Sequence, residues 1–92
     1  MKEYEALFVI DPDKESSLEQ IAESIVGAIT KNKGKVDNQA NWGKQRLSHP
    51  IDKKQDGIYY KLNFSMDPTL VRTISNVYKL DSNILRVMIT AK

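Results

Sequence analysis

The sequence predicts an α+β domain in the order βαββαβ, with four strands in a mostly antiparallel sheet and two helices on one of its faces. Three observations carry that expectation. Four segments alternate in hydrophobicity with the period of two that a strand requires. Two intervening segments repeat apolar residues three and four apart, the spacing of a helix with one buried stripe. A length of 92 residues leaves room for one small core, so residues 1–92 are expected to fold as a single domain.

The opening "YEALFVI" interleaves Tyr4, Ala6, Phe8 and Ile10 with Glu5, Leu7 and Val9, as a central strand does when its faces differ in burial. Asp11-Pro12-Asp13 ends it. In "SSLEQIAESIVGAITKNKGK" the residues Leu18, Ile21, Ala22, Ile25, Val26 and Ile29 form one stripe, and Ser16 with Glu19 or Ser17 with Gln20 offers a capping box. Gly34 is placed to close that helix in the left-handed conformation. A strand follows from Val36 to about Trp42 and resumes after Gly43 as far as Ile51, the glycine marking a bulge or bend.

"DKKQDG" predicts a turn, with Asp56-Gly57 as its clearest signal. In "IYYKLNFSM", Ile58, Tyr60, Leu62, Phe64 and Met66 share one side and Tyr59, Lys61, Asn63 and Ser65 the other. Asp67-Pro68 then starts the second helix, aspartate as N-cap and proline at the first helical position, with Leu70, Ile74, Val77 and Tyr78 facing inward. The closing "ILRVMITAK" alternates Leu85, Val87 and Ile89 with Arg86, Met88 and Thr90.

This order is the split βαβ, or ferredoxin-like, arrangement, in which right-handed crossovers put both helices on the same face. Ala6, Phe8, Ile10, Leu62, Phe64, Val87 and Ile89 are expected in the core. The other face, with Glu5, Leu7, Val9, Tyr59, Lys61, Asn63, Arg86 and Met88, is left without cover by this chain. Its mixture of apolar and basic groups suits a partner.

Composition excludes several classes of function. The absence of cysteine removes disulfides, thiol nucleophiles and the usual structural zinc sites, and a lone histidine holds no metal alone, so no cofactor is expected. The start has no apolar run long enough for a secretory or membrane-spanning segment, and a cytoplasmic protein beginning near Met1 is expected. A net charge of +2 permits an anionic partner without requiring one. Clustering says more: Lys44, Arg46, Lys53 and Lys54 fall within eleven residues.

Catalysis finds little support. His49 precedes Pro50 and is accompanied by no nucleophile motif, Asp11 and Asp13 flank a proline where aspartate serves a turn, and all four glycines are isolated, so no phosphate loop is formed. Nucleic-acid binding fares better, because ferredoxin-like sheets carry the RNA-recognition domain. The exposed side of "DGIYYKLNF" offers one aromatic where that domain uses two, so base stacking on the sheet is not expected. Lys44, Arg46, Lys53 and Arg86 fit phosphate contacts instead. The competing reading of Lys44 and Arg46 is that they solubilise an edge strand.

"YEALFVIDP", "WGKQRLSHPI", "DGIYYKLNF" and "ILRVMIT" resemble, in order and spacing, the bacterial family of small-subunit ribosomal protein S6. The match spans essentially the whole chain, and the tryptophan-glycine-lysine cluster is its most specific part. The resemblance implies a structural, non-catalytic component of the cytoplasmic small ribosomal subunit. Such a protein binds the central domain of small-subunit ribosomal RNA with ribosomal protein S18 and supports platform assembly. It also implies RNA contacts at Lys2, Tyr4, the segment from Arg46 to His49, and Arg86.

Two features depart from the family pattern. His49 stands where tyrosine is common, and the sequence stops at Lys92 where many members run on in a charged tail, so any contact made by such a tail is either missing or trimmed away. Free of its partners the protein is expected to be monomeric. Within the central motif, Gly43 is expected to re-aim the strand and Trp42 either to shield the bend or to join the core, the burial usual for tryptophan favouring the core. Two other functions remain open on the same fold. One is an interaction or regulatory module that uses the open sheet face for oligomers; the other is an acylphosphatase-like enzyme, which lacks the arginine cradle that chemistry requires.

Overall fold

The computed structural model describes residues 1–51 and 53–92. Strand β1 (Lys2–Ile10) leads through a 3₁₀ turn (Pro12–Ser17) into helix α1 (Leu18–Lys31), followed by β2 (Lys35–Ile51), β3 (Lys54–Met66), α2 (Pro68–Leu80) and β4 (Ile84–Ala91). The sheet order is β2-β3-β1-β4 and every neighbouring pair is antiparallel. Each helical crossover therefore straddles one strand, α1 passing over β3 and α2 over β1. This is the split βαβ architecture expected from the sequence.

The core lies between the helices and one side of the sheet. Ala6, Phe8, Ile10, Leu62, Phe64 and Met66 have no exposed surface, nor have Ile29 of α1 and Ile74 of α2. Ile21 and Ile25 complete the buried stripe of α1, with Leu18, Ala22 and Val26 packed beside it. Phe8 meets Tyr78 edge to face at 4.9 Å, and Tyr4 stacks on Phe64 at 5.6 Å. The buried Tyr78 hydroxyl donates to the Ile25 carbonyl at 2.6 Å, tying α2 to α1, and burial pushes its pKa up.

Several local expectations are corrected. Ser17 precedes α1 but makes no side-chain cap. The chain instead enters that helix through the 3₁₀ turn, which Asp11 begins by accepting the Asp13 N–H at 3.0 Å. The left-handed residue after α1 is Lys33 (φ 65°); Gly34 is required for space, because a Cβ there would lie 2.6 Å from Ile29 Cγ2. Asp56-Gly57 is not the hairpin turn but lies inside β3, and the chain reverses before Lys54, where Lys53 takes φ 65°. Asp52, within the predicted turn, lies outside the described residues. A bulge between Val9 and Ile10 pairs Ile10 with Ile84, so Ile84 is buried where the alternation pointed to Leu85. On α2, Val77 is exposed rather than inward.

Asp67 does cap α2 as expected, accepting the Thr69 N–H at 3.0 Å and its hydroxyl at 2.9 Å with Pro68 next in the chain.

Candidate nucleic-acid and partner interface

The site candidates gather on the β2–β3 hairpin, where β2 departs from simple alternation. Its register with β3 shifts between Val36 and Asn38 and again between Asn41 and Gly43. Each shift adds a residue and turns the following side chains to the other side of the sheet. At the second bulge Gly43 adopts φ 80°, and Asn41 Oδ1 accepts its N–H at 2.8 Å, which fixes the bend. Only glycine takes that conformation without a Cβ penalty.

Trp42 is the extra residue of this bulge. It is 49% exposed, so the expectation of a core tryptophan fails: the bulge lifts the ring off the sheet instead of turning it inward. The Lys61 ammonium lies 5.6 Å from the ring centroid on the side away from the helices, and Lys61 pairs with Glu5 at 3.0 Å.

Beyond the bulge, Lys44 stands opposite Ile58 and Arg46 opposite Asp56, so both sit on the helix side of the hairpin. Lys54 also reaches that side, where it bonds Asp13 and lies 3.6 Å from Asp11. The hydrogen bond from Lys54, and then its charge, hold the Asp13 carboxyl below the usual range, with Lys44 adding to the effect; the same bond raises Lys54. Lys54 thus fastens the hairpin to the 3₁₀ turn, while Lys44 and Arg46 stay exposed.

The opposite side of the hairpin is apolar. Leu47 curls over the outer face of the sheet beside Gly57 and Val9, leaving Val9 only 6% exposed, so this end is covered in part by the chain itself. A Cβ on Gly57 would lie 2.4 Å from Val9 Cγ1; the glycine allows that close packing. Next to Leu47 opens a groove of about 250 Å³ lined by Leu7, Tyr59, Ile51 and Met88, with His49 and Arg86 also on its wall.

The structure therefore divides the predicted contact residues. His49 and Arg86 share the outer groove, Lys44 and Arg46 occupy the helix side of the hairpin, and Lys53 is exposed beside its turn. Lys2 is exposed at the far end, seven residues from Val9 along β1 and about 23 Å away at the usual strand rise. Tyr4 is withdrawn from the contact surface: its ring is 7% exposed and packed on Phe64, because it shares the core side of β1 with Ala6 and Phe8. The Leu47 cover was not anticipated, and the exposed Trp42 was the less favoured of two readings. The amide-rich "DNQANWGKQ" around the tryptophan was the available signal for its exposure.

Among the described residues no three His, Cys, Asp or Glu side chains converge on a possible metal position, and no helix is long and apolar enough to cross a membrane. An apolar groove on one side of the hairpin and exposed cations on the other sit on a single split βαβ domain. A family model described as Ribosomal protein S6 matches residues 3–91. The small ribosomal subunit protein bS6 of Cutibacterium acnes is 34% identical over 90 residues, covering 97% of this chain and 94% of that protein. That of Clostridium novyi is 33% identical over 90 residues, covering 97% and 95%.

Among solved structures, the 30S ribosomal protein S6 of Thermotoga maritima superimposes with a TM-score of 0.92 at 26% identity, over 99% of this chain and 87% of that one. The C-terminal domain of the Mycobacterium tuberculosis MgtC protein, with a TM-score of 0.69 at 13% identity, shares the fold alone. The chain belongs to the ribosomal protein S6 family, a family of structural, non-enzymatic components of the small ribosomal subunit, which in bacteria is cytoplasmic.

Proposed function

We propose that this protein binds the central domain of small-subunit ribosomal RNA together with ribosomal protein S18, and so supports assembly of the subunit platform. The observation that carries this reading is the two-sided hairpin: exposed Lys44 and Arg46 on one side, an apolar groove on the other. Exposed cations held on a strand, with no ion pair among the described residues, meet phosphates without reading sequence, and they position a protein on folded RNA. Lys53 extends that surface, Arg86 and His49 supply polar contacts at the groove, and Lys2 makes a separate contact at the far end. The groove, with Met88 53% exposed on its wall, takes the partner protein. Without partners the protein is monomeric.

The deciding experiment is binding to a central-domain RNA fragment with and without S18 across a range of salt. Binding that needs the partner and weakens with salt is expected, since each phosphate contact releases counterions. Binding that salt leaves unchanged, or no binding even with S18, would overturn the reading. Sedimentation of the free protein at more than the mass of one chain would favour instead an oligomeric module that buries its outer face.

A further inference from the structure

We infer that Trp42 is a stacking platform for one unpaired nucleobase of the RNA; this rests on the function proposed above and adds a contact to it. The ring is held in place without being buried. Gly43 at φ 80° and the Asn41 Oδ1 bond to its N–H set the bulge, and Lys61, anchored by Glu5 at 3.0 Å, covers one side of the indole. The residue is 49% exposed, which leaves indole surface within reach of a ligand. A large π surface fixed in this way loses little entropy when a planar group stacks on it.

The surroundings indicate which planar group. On the same side of the sheet stand the amides of Asn38, Gln45 and Asn63, read from their register with Asn63, Gly57 and Glu5. Asn63 Oδ1 is buried and has no hydrogen-bond partner among the described residues, so the accessible amides on this side are those of Asn38 and Gln45. Amides on the same side of the sheet as an exposed aromatic ring, with Gln45 Nε2 reaching the Trp42 carbonyl at 3.4 Å, match a base, whose π face stacks while its edge hydrogen-bonds. An apolar protein anchor is better served by the groove near Leu47. Tyr59, on the same side of β3 as Lys61, is the one aromatic the sequence placed on this face, and Trp42 adds the second.

Trp42 is the sole tryptophan, so its emission reports on the platform directly. The protein is titrated with a central-domain RNA fragment in the presence of S18. Emission should be quenched on binding, and Trp42→Leu should bind about tenfold more weakly with an unchanged salt slope, because stacking releases no counterions. Trp42→Phe should recover part of the loss. Should Trp42→Leu fail to fold, judged by its unfolding midpoint, the Phe variant and the wild-type quenching decide. A complex with unchanged emission and wild-type affinity in both variants would overturn the platform and leave the function standing. Quenching by S18 alone, with none added by RNA, would assign the ring to the protein partner and overturn it too. Absence of any complex would remove the function and the platform together.

Discussion

Glycine at position 57 and glycine at position 27 are the same residue kept for opposite reasons. At Gly57 a methyl group would sit 2.4 Å from Val9 Cγ1, on a stiff β-branched side chain that Leu47 already covers. At Gly27, inside α1, a methyl group meets nothing within 4 Å. Gly57→Ala is expected to cost about 1–3 kcal/mol through overpacking, and Gly27→Ala to gain about 0.5–1 kcal/mol through helix propensity. Urea unfolding of the two variants checks both signs, and a neutral Gly57→Ala would mean that Leu47 does not press on Val9. The sequence separates these glycines, but on the wrong ground for Gly57. Gly57 follows an aspartate in a polar stretch and reads as a turn, because the close approach that requires it comes from β1, nearly fifty residues earlier.

Among the elements, α2 begins on a titratable cap. The Asp67 carboxylate accepts the Thr69 N–H first and its hydroxyl second, and both hold its pKa below the usual range. A carboxyl depressed by folding contributes stability above its unfolded value, near 3.9 by the usual reference, and loses it as pH falls through the lower folded value. Asp67→Ala should therefore lower the melting temperature at pH 7 and differ less from the wild type at about pH 2. Asp67→Asn should keep most of the cap and flatten the acid limb. An equal Ala deficit at both pH values would show that the carboxylate charge plays no part.

This helix start was legible because aspartate and proline act locally. Element order and strand sides were legible for the same reason, wherever alternation runs unbroken, as it does in β1 and β3. In β2 it could not be: two bulges each reverse the parity, so Val36, then Gln39 and Asn41, then Lys44 and Arg46 face the helices. Periodicity cannot count a residue that is out of register.

At the scale of the molecule, the core and the cations proposed to meet phosphate share the helix side of the sheet but lie at different places along β2 and β3, and that separation is measurable. Phe64 has no exposed surface and stacks on Tyr4, so Phe64→Ala removes core volume and should cost about 3–5 kcal/mol, close to the whole stability of a domain this size. Arg46 is exposed on the helix side of the hairpin, opposite Asp56, in a position where one charge adds little to folding. Arg46→Ala should leave the urea midpoint within about 0.5 kcal/mol of the wild type. On RNA it should weaken binding and reduce the salt slope by about one phosphate contact. The two readouts must part in opposite directions for the two variants. If Arg46→Ala unfolds the domain, the bulge at Trp42 does not turn the hairpin as described and the cation lies inside; if it folds and binds RNA with an unchanged slope, the phosphates are met elsewhere, with Lys53 and Arg86 the next to be replaced.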